Sequence, residues 1–357
     1  MLTFAVGESV EDRPMRASAA PVRPFAAIVL AGSHTWRRTP FDRLLPRPLL
    51  PVAQFPLLSY PLRWLGAAGA ARATICTNGL TPQLRPYLEP LRDVLPALEF
   101  FDDETPRGAA GSARDAALAT DAEVFVVADA TTIPAVDLQR VLAEHERSRA
   151  VLTIIVQPRE SGSDSLIPTG LYVFSRRAFD FVPATGYQDI KESLIPRLYA
   201  AGELVFTSES DEPCPQVLDA KTYLAVNHRL IARTERTIHP SARIHPSALL
   251  VGPVMVGAGA EIGERAVIVG PASIGAGTTI EAGAVISRSV IWAECSVGAQ
   301  ARVHCSVVSA AIRVAARTRL VGAIEVSTRP AKPWKTPSAV PVRPLEPAVN
   351  ARSLAFH

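Results

Sequence analysis

Residues 256–286 read VGAGAEIGERAVIVGPASIGAGTTIEAGAVI. Val256, Ile262, Ile268, Ile274, Ile280 and Ile286 stand six apart, and Gly, Ala or Pro commonly follows one or two places later. Upstream the same column takes in Ile238, Ile244 and Leu250, which makes eight consecutive intervals of six. A period of six is neither the 3.6 of a helix nor the 2 of a strand. It is the mark of a parallel β-helix, in which each six-residue unit forms one flat side of a triangular coil. The aliphatic residue points inward and the small residues permit the corners. After Ile286 the period slips once, to five, and resumes at Ile291, Val297 and Val303. Residues 236–327 are therefore assigned to this domain, with roughly four to five coils between 238 and 325.

Before Ile238 the pattern is different. Apolar runs at Ala26–Leu30, Ala73–Thr77, Val124–Ala128 and Val151–Val156 have the length and composition of buried strands. Helical patterns at Leu57–Ala68, Ala110–Ala119 and Asp137–Arg147 lie between them. This alternation predicts a Rossmann-like α/β domain over residues 23–233, with a mostly parallel sheet covered on both faces. Ligands of such sheets bind at the carboxyl ends of the strands, where Gly32 and Asp129 fall.

The 357 residues suffice for two domains. No apolar run approaches the ~20 residues of a membrane span. Residues 1–22 carry Glu8, Glu11 and Asp12 without an apolar stretch, which predicts a disordered lead-in and no signal peptide. Cys76, Cys214, Cys295 and Cys305 fit no zinc spacing and are expected to be reduced, in a cytoplasmic protein; a Cys295–Cys305 bridge is the alternative. The net charge of +3 is concentrated in the tail, residues 328–357, where five cations face Glu346 alone among six prolines. The tail is expected to be extended and solvated, with contact to an acidic partner as the lesser reading. The body carries no basic footprint for nucleic acid.

Residues 25–52, FAAIVLAGSHTWRRTPFDRLLPRPLLPV, join a strand to Gly32 and an Arg-rich loop, an arrangement that offers backbone N–H groups and positive charge to a phosphate. The segment resembles the signature loop of the sugar-1-phosphate nucleotidylyltransferases through Ala31-Gly32, Arg37, Pro40, Pro46, Pro48 and Pro51-Val52. In that family a strand leads into Gly-Gly-x-Gly-Thr-Arg-x-x-Pro and then Pro-Lys-Pro-hydrophobic-hydrophobic-Pro-Val. The resemblance covers about residues 24–231 and continues into a hexapeptide β-helix, as in GDP-mannose pyrophosphorylases; in hexapeptide families that coil is left-handed, an exception to the usual crossover rule.

The resemblance implies joining of a sugar-1-phosphate to an NTP with release of pyrophosphate, assisted by Mg²⁺. It makes Ala31, Gly32 and Ser33, with Gly108 and Gly111 of ETPRGAAGSA, nucleotide-binding. Arg37 becomes the pyrophosphate-side cation and Arg47 the stand-in for the phosphate-binding lysine. Asp129, ending VVAD, becomes the metal ligand. Thr169-Gly170, opening a family-like strand, and Lys191 would face the sugar phosphate. For the second metal ligand, ungapped counting back from Tyr223-Leu224-Ala225-Val226-Asn227 reaches Gln216, and a local deletion brings Asp219 there instead.

The chain also departs from the family pattern. Ser33 and Thr35 replace loop glycines, Arg47 replaces lysine, and only Pro158–Gly170 is left for a Glu-Lys-Pro hairpin. Two functions are therefore open: a nucleotidylyltransferase, or a non-catalytic subunit that binds nucleotide or nucleotide sugar and regulates or scaffolds an active paralogue. A homo-oligomer through the β-helix is expected in either case. An acyltransferase role for His239, His245 or His304 is disfavoured, because the first two stand in repeated His-Pro-Ser corners.

Overall fold

The computed structural model of the chain describes residues 24–32, 41, 44–79, 81–88, 97–103, 105–159 and 163–327. The expected lead-in and tail lie outside them, as do Ser33, Thr35 and Arg37. The first domain runs β1 (Ala26–Leu30), α1 (Ser59–Ala67), β2 (Arg72–Thr77), α2 (Thr81–Leu88), β3 (Ala97–Asp102), α3 (Gly108–Ala117), β4 (Val124–Asp129), α4 (Leu138–Ser148), β5 (Leu152–Arg159), β6 (Ser163–Ser175), α5 (Ile195–Ala200), β7 (Val205–Glu209) and α6 (Ala220–Ala232). The strands form one sheet in the order β3-β2-β1-β4-β6-β5-β7. All neighbours are parallel except β6, which runs antiparallel to both β4 and β5. Two apolar clusters cover the two faces, one around Val29, Ile75 and Val126 and the other around Ile28, Phe125 and Phe174.

The antiparallel β6 is the exception within the mostly parallel sheet that the sequence predicts. β5 and β6 pair out to Arg159 and Ser163, so the chain turns straight back. Asp137, read as part of α4, instead caps it: its carboxylate accepts from the N–H groups of Gln139 and Arg140 at 2.9 and 3.4 Å.

The second domain consists of three parallel sheets of six, five and five short strands, the architecture of a left-handed β-helix. The predicted column is its core: Val256, Ile262, Ile268, Ile274, Ile280 and Ile286 are each at most 2 % exposed. Val256 pairs with Ile274, eighteen residues on, whereas Ile274 pairs with Ile291, seventeen on. Ile291 then pairs with Val308, so the period shortens a second time, after Val303. The short coils keep their inward positions filled at Val297, Val303 and Val308, which are buried as well, and the column ends at the exposed Glu325, seventeen residues after Val308.

One face of the β-helix packs on the α/β domain. Met255, Ser273, Val290 and Val307 point outward from that face and are buried against it. Phe41, Tyr223 and Trp292 form an aromatic cluster there, with the Phe41 ring centroid 5.1 and 5.5 Å from the other two. The Tyr223 hydroxyl donates to the Pro51 carbonyl at 2.5 Å and accepts from Trp292 Nε1 at 2.8 Å. The turn between Pro51-Val52 and Phe55-Pro56 holds Ala53 and Gln54 at φ 45 and 67, a left-handed pair that usually calls for Asn-Gly. Two anchors hold it. Ala53 N–H donates to Asn227 Oδ1 at 2.9 Å, and Gln54 Nε2 donates to the Ile274 carbonyl at 3.0 Å.

Candidate functional site

The carboxyl ends of β1, β2, β3 and β4 lie along one edge of the sheet. Leu30 pairs with Asp129 across β1 and β4, and Thr77 with Asp102 across β2 and β3. Asp129 heads a tight turn: its Oδ1 accepts from Thr131 N–H at 2.8 Å and from Thr131 Oγ1 at 2.7 Å. The next residues leave the sheet and pair with Pro215–Val217. Ile133 N–H donates to the Pro215 carbonyl at 2.9 Å and Val217 N–H to the Thr131 carbonyl at 3.0 Å. Gln216 thereby comes opposite Thr132.

Four residues from three segments meet at Gly170. Its φ of 84 is one that L side chains rarely adopt. A Cβ there would lie 2.6 Å from Gln216 Nε2, 3.0 Å from Thr132 Oγ1 and 3.1 Å from Asp129 Cβ. Gln216 Nε2 donates to the Thr169 carbonyl at 2.7 Å and to Thr132 Oγ1 at 3.0 Å, and Thr132 Oγ1 donates to the same carbonyl at 2.8 Å. Thr169 is fully buried, its hydroxyl donating to the Ile155 carbonyl at 2.9 Å. That hydroxyl is a strand fastening rather than a group presented to a sugar phosphate.

The fate of the second metal position follows. Asp219 does not join this corner. It is exposed and caps α6, with its carboxylate accepting Thr222 N–H at 2.8 Å in a reciprocal capping box. Gln216 stands beside Asp129 instead, and the amide edge it turns toward Thr169 is a donor. A carboxylate there would set negative charge against the Thr169 carbonyl. Among the described residues no group of three or more His, Cys, Asp or Glu side chains is arranged to hold a metal. The donor set at this corner therefore does not fit a two-carboxylate Mg²⁺ centre.

The amino end of α3 is similarly closed. The N–H groups of Ala110 and Gly111 both donate to the Gln188 carbonyl, at 3.0 and 3.3 Å. Gly108 has φ 74, and a Cβ there would lie 2.5 Å from that carbonyl oxygen; at Gly111 a Cβ would meet Arg107 Cβ at 2.9 Å. Packing within the protein thus accounts for both glycines. Arg107, which carried no weight in the sequence, is buried and holds this arrangement together: it donates to Asp115 at 2.7 Å, the Gly186 carbonyl at 2.6 Å and the Pro183 carbonyl at 3.0 Å.

The remaining candidates are placed as follows. Ala31 is buried and its N–H donates to the Cys76 carbonyl at 2.8 Å; a Cβ on Gly32 would make only ordinary contact, at 3.6 Å, with the Asn78 side chain. Arg47 is half-buried and opens a short 3₁₀ turn. Lys191 is exposed in a turn that Asp189 caps, its N–H donating to that carboxylate at 2.7 Å. Asp102 and Asp103, which the sequence reading passed over, also lie at this edge. Asp102 accepts from Gly79 N–H at 3.1 Å and from the Thr77 hydroxyl, and Asp103 accepts from the Ser112 hydroxyl. Burial raises the Asp103 carboxyl above the usual range, with the Ser112 bond opposing it. Burial likewise raises the Tyr172 hydroxyl, and the charges of Asp129 and Asp189 add to the rise. All four cysteines are free thiols, three buried and Cys305 half-buried. No helix of the described residues is long and apolar enough to cross a membrane.

The family described as Nucleotidyl transferase matches residues 26–164, and the GMPPB C-terminal domain matches residues 232–329. Mannose-1-phosphate guanylyltransferase of Mycobacterium tuberculosis is 26% identical over 298 residues, 73% of this chain and 83% of that protein. UTP–glucose-1-phosphate uridylyltransferase of Synechocystis sp. is 22% identical over 332 residues, covering 77% and 85%. Translation initiation factor eIF2B subunit epsilon of Schizosaccharomyces pombe is 29% identical over 147 residues, 38% of this chain but only 22% of its own length. Its first domain is thus a nucleotidyl transferase domain and its β-helix a GMPPB C-terminal domain, and the two together make the chain similar to the sugar-1-phosphate nucleotidylyltransferases.

Proposed function

We propose that this chain is a catalytically reduced member of the family, which binds a nucleotide or nucleotide sugar and acts as a regulatory or scaffold subunit of an active paralogue. The observation that carries this reading is the Gln216 amide. It fills the face of Gly170 and donates to the Thr169 carbonyl at 2.7 Å, beside the carboxylate of Asp129. Transfer between two anions depends on positive charge positioned at the reacting phosphates. A corner with one carboxylate and an amide attracts a divalent cation far less than two carboxylates do, because the amide contributes no charge. The direct turn from β5 to β6 and the paired N–H groups at α3 support the same reading. One relative is named as a subunit of a translation initiation factor, so a segment like this one also occurs in a protein named as a subunit.

A second reading is sugar-1-phosphate nucleotidylyltransferase activity with Asp129, Arg37, Arg47 and Mg²⁺. Its support is the similarity to two transferases over more than four fifths of their length. One experiment separates the two. NTPs and sugar-1-phosphates are combined with the protein and Mg²⁺, and pyrophosphate release is measured beside thermal stabilisation by NDP-sugars. Stabilisation without turnover is expected. Turnover that Asp129→Ala abolishes overturns the proposal in favour of the transferase, and neither turnover nor stabilisation overturns both.

A further inference from the structure

Three of the four thiols are sealed inside the protein. Cys76, Cys214 and Cys295 are buried, burial pushes each thiol up, and their hydrogen-bond partners are backbone groups and the Ser210 hydroxyl. Cys305 differs. It stands half-buried at a corner of the β-helix, and its Sγ lies 3.3 Å from Nε2 of the exposed His304. Nδ1 of that ring lies 2.7 Å from Ser287 Oγ, on the neighbouring coil. In the neutral ring, the tautomer with Nδ1–H donating to Ser287 leaves Nε2 to accept from the thiol. A nucleophile, a base and a group that orients the base are thus joined. The repeat does not account for this. His239 and His245 are exposed too, but their Nδ1 atoms accept from the N–H groups of Ser241 and Ser247 within their own corners, both at 3.2 Å.

The surroundings of the thiol are open and cationic. Arg288 and Gly322 occupy the same corner one coil before and one coil after, with φ of 48 and 62 against 47 at Cys305. A Cβ on Gly322 would meet nothing within 4 Å, so that side of the corner is free. Arg302 shares the outer face with His304 and pairs in register with Arg319, about 4.8 Å away across the strands. Both arginines are exposed, and neither has an acidic partner among the described residues. The sequence holds no Asp or Glu between Glu294 and Glu325. Like charges directly opposite one another are destabilising, and an anion lying across the two guanidinium groups would relieve them.

We propose that Cys305 is a thiol-exchange site, with His304 as its base, for a small disulfide that carries carboxylates. Nε2 of His304 takes the Sγ proton. The thiolate attacks one sulfur of the incoming disulfide; a new S–S bond forms and the old one breaks. The departing thiolate takes the proton from Nε2. Cys305 ends oxidised in a mixed disulfide, and the other half of the reagent leaves reduced as a thiol, so protons and electrons balance. Arg302 and Arg319 hold the carboxylates, and Ser287 positions the ring. The inference involves no group of the Gly170 corner and is independent of whether the chain catalyses transfer.

The test is the rate of mixed-disulfide formation by the reduced full chain, read by intact mass and peptide mapping. Two reagents are compared: oxidised glutathione, which is anionic, and cystamine, which is cationic. A single adduct at Cys305 is expected, and Cys305→Ser should lose it. His304→Gln is expected to slow both reagents at least about tenfold, and Ser287→Ala to slow both by a smaller factor. Arg302→Gln is expected to slow oxidised glutathione at least about threefold and cystamine not at all, a difference that added salt removes. Far-UV circular dichroism with thermal melting checks that each variant is folded. An adduct spread over all four cysteines, or none at Cys305, overturns the proposal. So does folded His304→Gln that reacts as fast as the wild type. Equal slowing of both reagents by Arg302→Gln, or of neither, overturns the choice of an anionic disulfide.

Discussion

In the β-helix, Ile262 stacks on Ile280 and Ile280 on Val297, each meeting its own kind one coil above and below. At the Gly170 corner, groups from β4 and the turn after it, from β6 and from the segment before α6 meet, an arrangement with no period to repeat it among the described residues. Both regions are close-packed, but at the corner Asp129 and Gln216 stay partly open to solvent. They differ in how much rests on one residue. A coil shares its packing with neighbours of the same shape, and the chain absorbs shortened coils at Ile291 and Val308 with both inward positions still buried. The corner has one amide and one carboxylate, so its chemistry turns on whether residue 216 carries a donor or a charge.

Substitutions can test that difference. The largest effect is expected at the centre of the column, where Ile280→Ala removes a fully buried side chain between two others. A cost of about 2–5 kcal/mol is expected from chemical denaturation. Because solenoids are stabilised by nearest-neighbour contacts, the β-helix should lose stability while the α/β sheet keeps its hydrogen-exchange protection. Equal loss of protection in both domains would show that the buried junction around Tyr223 and Trp292 makes them one cooperative unit.

His145 is a second meeting that occurs only once. It lies buried between the hydroxyls of Thr153 and Ser175, at 2.8 and 3.0 Å. Burial lowers its pKa to about 4, below its ordinary value, so the folded protein holds it neutral. The stability it contributes is present above the unfolded value of about 6.5 and is lost as pH falls toward 4, by at most about 3 kcal/mol. His145→Gln should flatten the stability profile between about pH 6.5 and 4. A wild-type profile that is flat there would contradict a neutral buried ring.

At the corner itself, Gln216→Asp removes both donated hydrogen bonds and faces the Thr169 carbonyl with negative charge. A loss of about 1–3 kcal/mol is expected. The same substitution supplies the second carboxylate, so Mn²⁺ should raise the Tm of Gln216→Asp and leave the wild type unmoved. Equal stabilisation of both by Mn²⁺ would mean that Asp129 alone suffices for metal.

These regions also differ in what the letters disclose. The inward column is legible because each position repeats one demand, an aliphatic side chain of fixed depth, and a repeated demand leaves a period. The parallel core of the first sheet is legible for a similar reason, since strands buried on both faces become continuous apolar runs. β6 was readable as a strand from Thr169 to Phe174, but its direction was not, because direction is set by which strands it pairs with. Ungapped counting had reached Gln216 and left it in competition with Asp219; only the pairing of Pro215–Val217 with the segment after Asp129 separates a corner residue from a helix cap. Arg107 was invisible, as its partners are mainly carbonyls of Pro183 and Gly186, far away in the sequence.

The smallest expected effect lies at a corner of the β-helix, where the repeat is present in the backbone but not in the letters. Arg265, Gly283, Gln300 and Arg317 stack one coil apart with φ of 54, 67, 59 and 61. The N–H groups of Gly283, Gln300 and Arg317 each donate to a carbonyl of the preceding coil, at 2.8, 3.0 and 2.9 Å. A left-handed conformation costs a residue with a Cβ about 1–2 kcal/mol, yet three of the four positions carry one. The hydrogen-bond stack therefore imposes the conformation and the residue conforms to it. At Gly283 a Cβ would make only ordinary contact, 3.6 Å from Gln300 Cγ, so Gly283→Ala should lose about 1 kcal/mol through backbone strain alone. Gln300→Gly should gain less, by at most about 0.5 kcal/mol, because glycine also loses more chain entropy on folding. If Gly283→Ala proved neutral in chemical denaturation, the corner would be less constrained than its four shared φ values imply, and the coil would owe its register to the inward column alone.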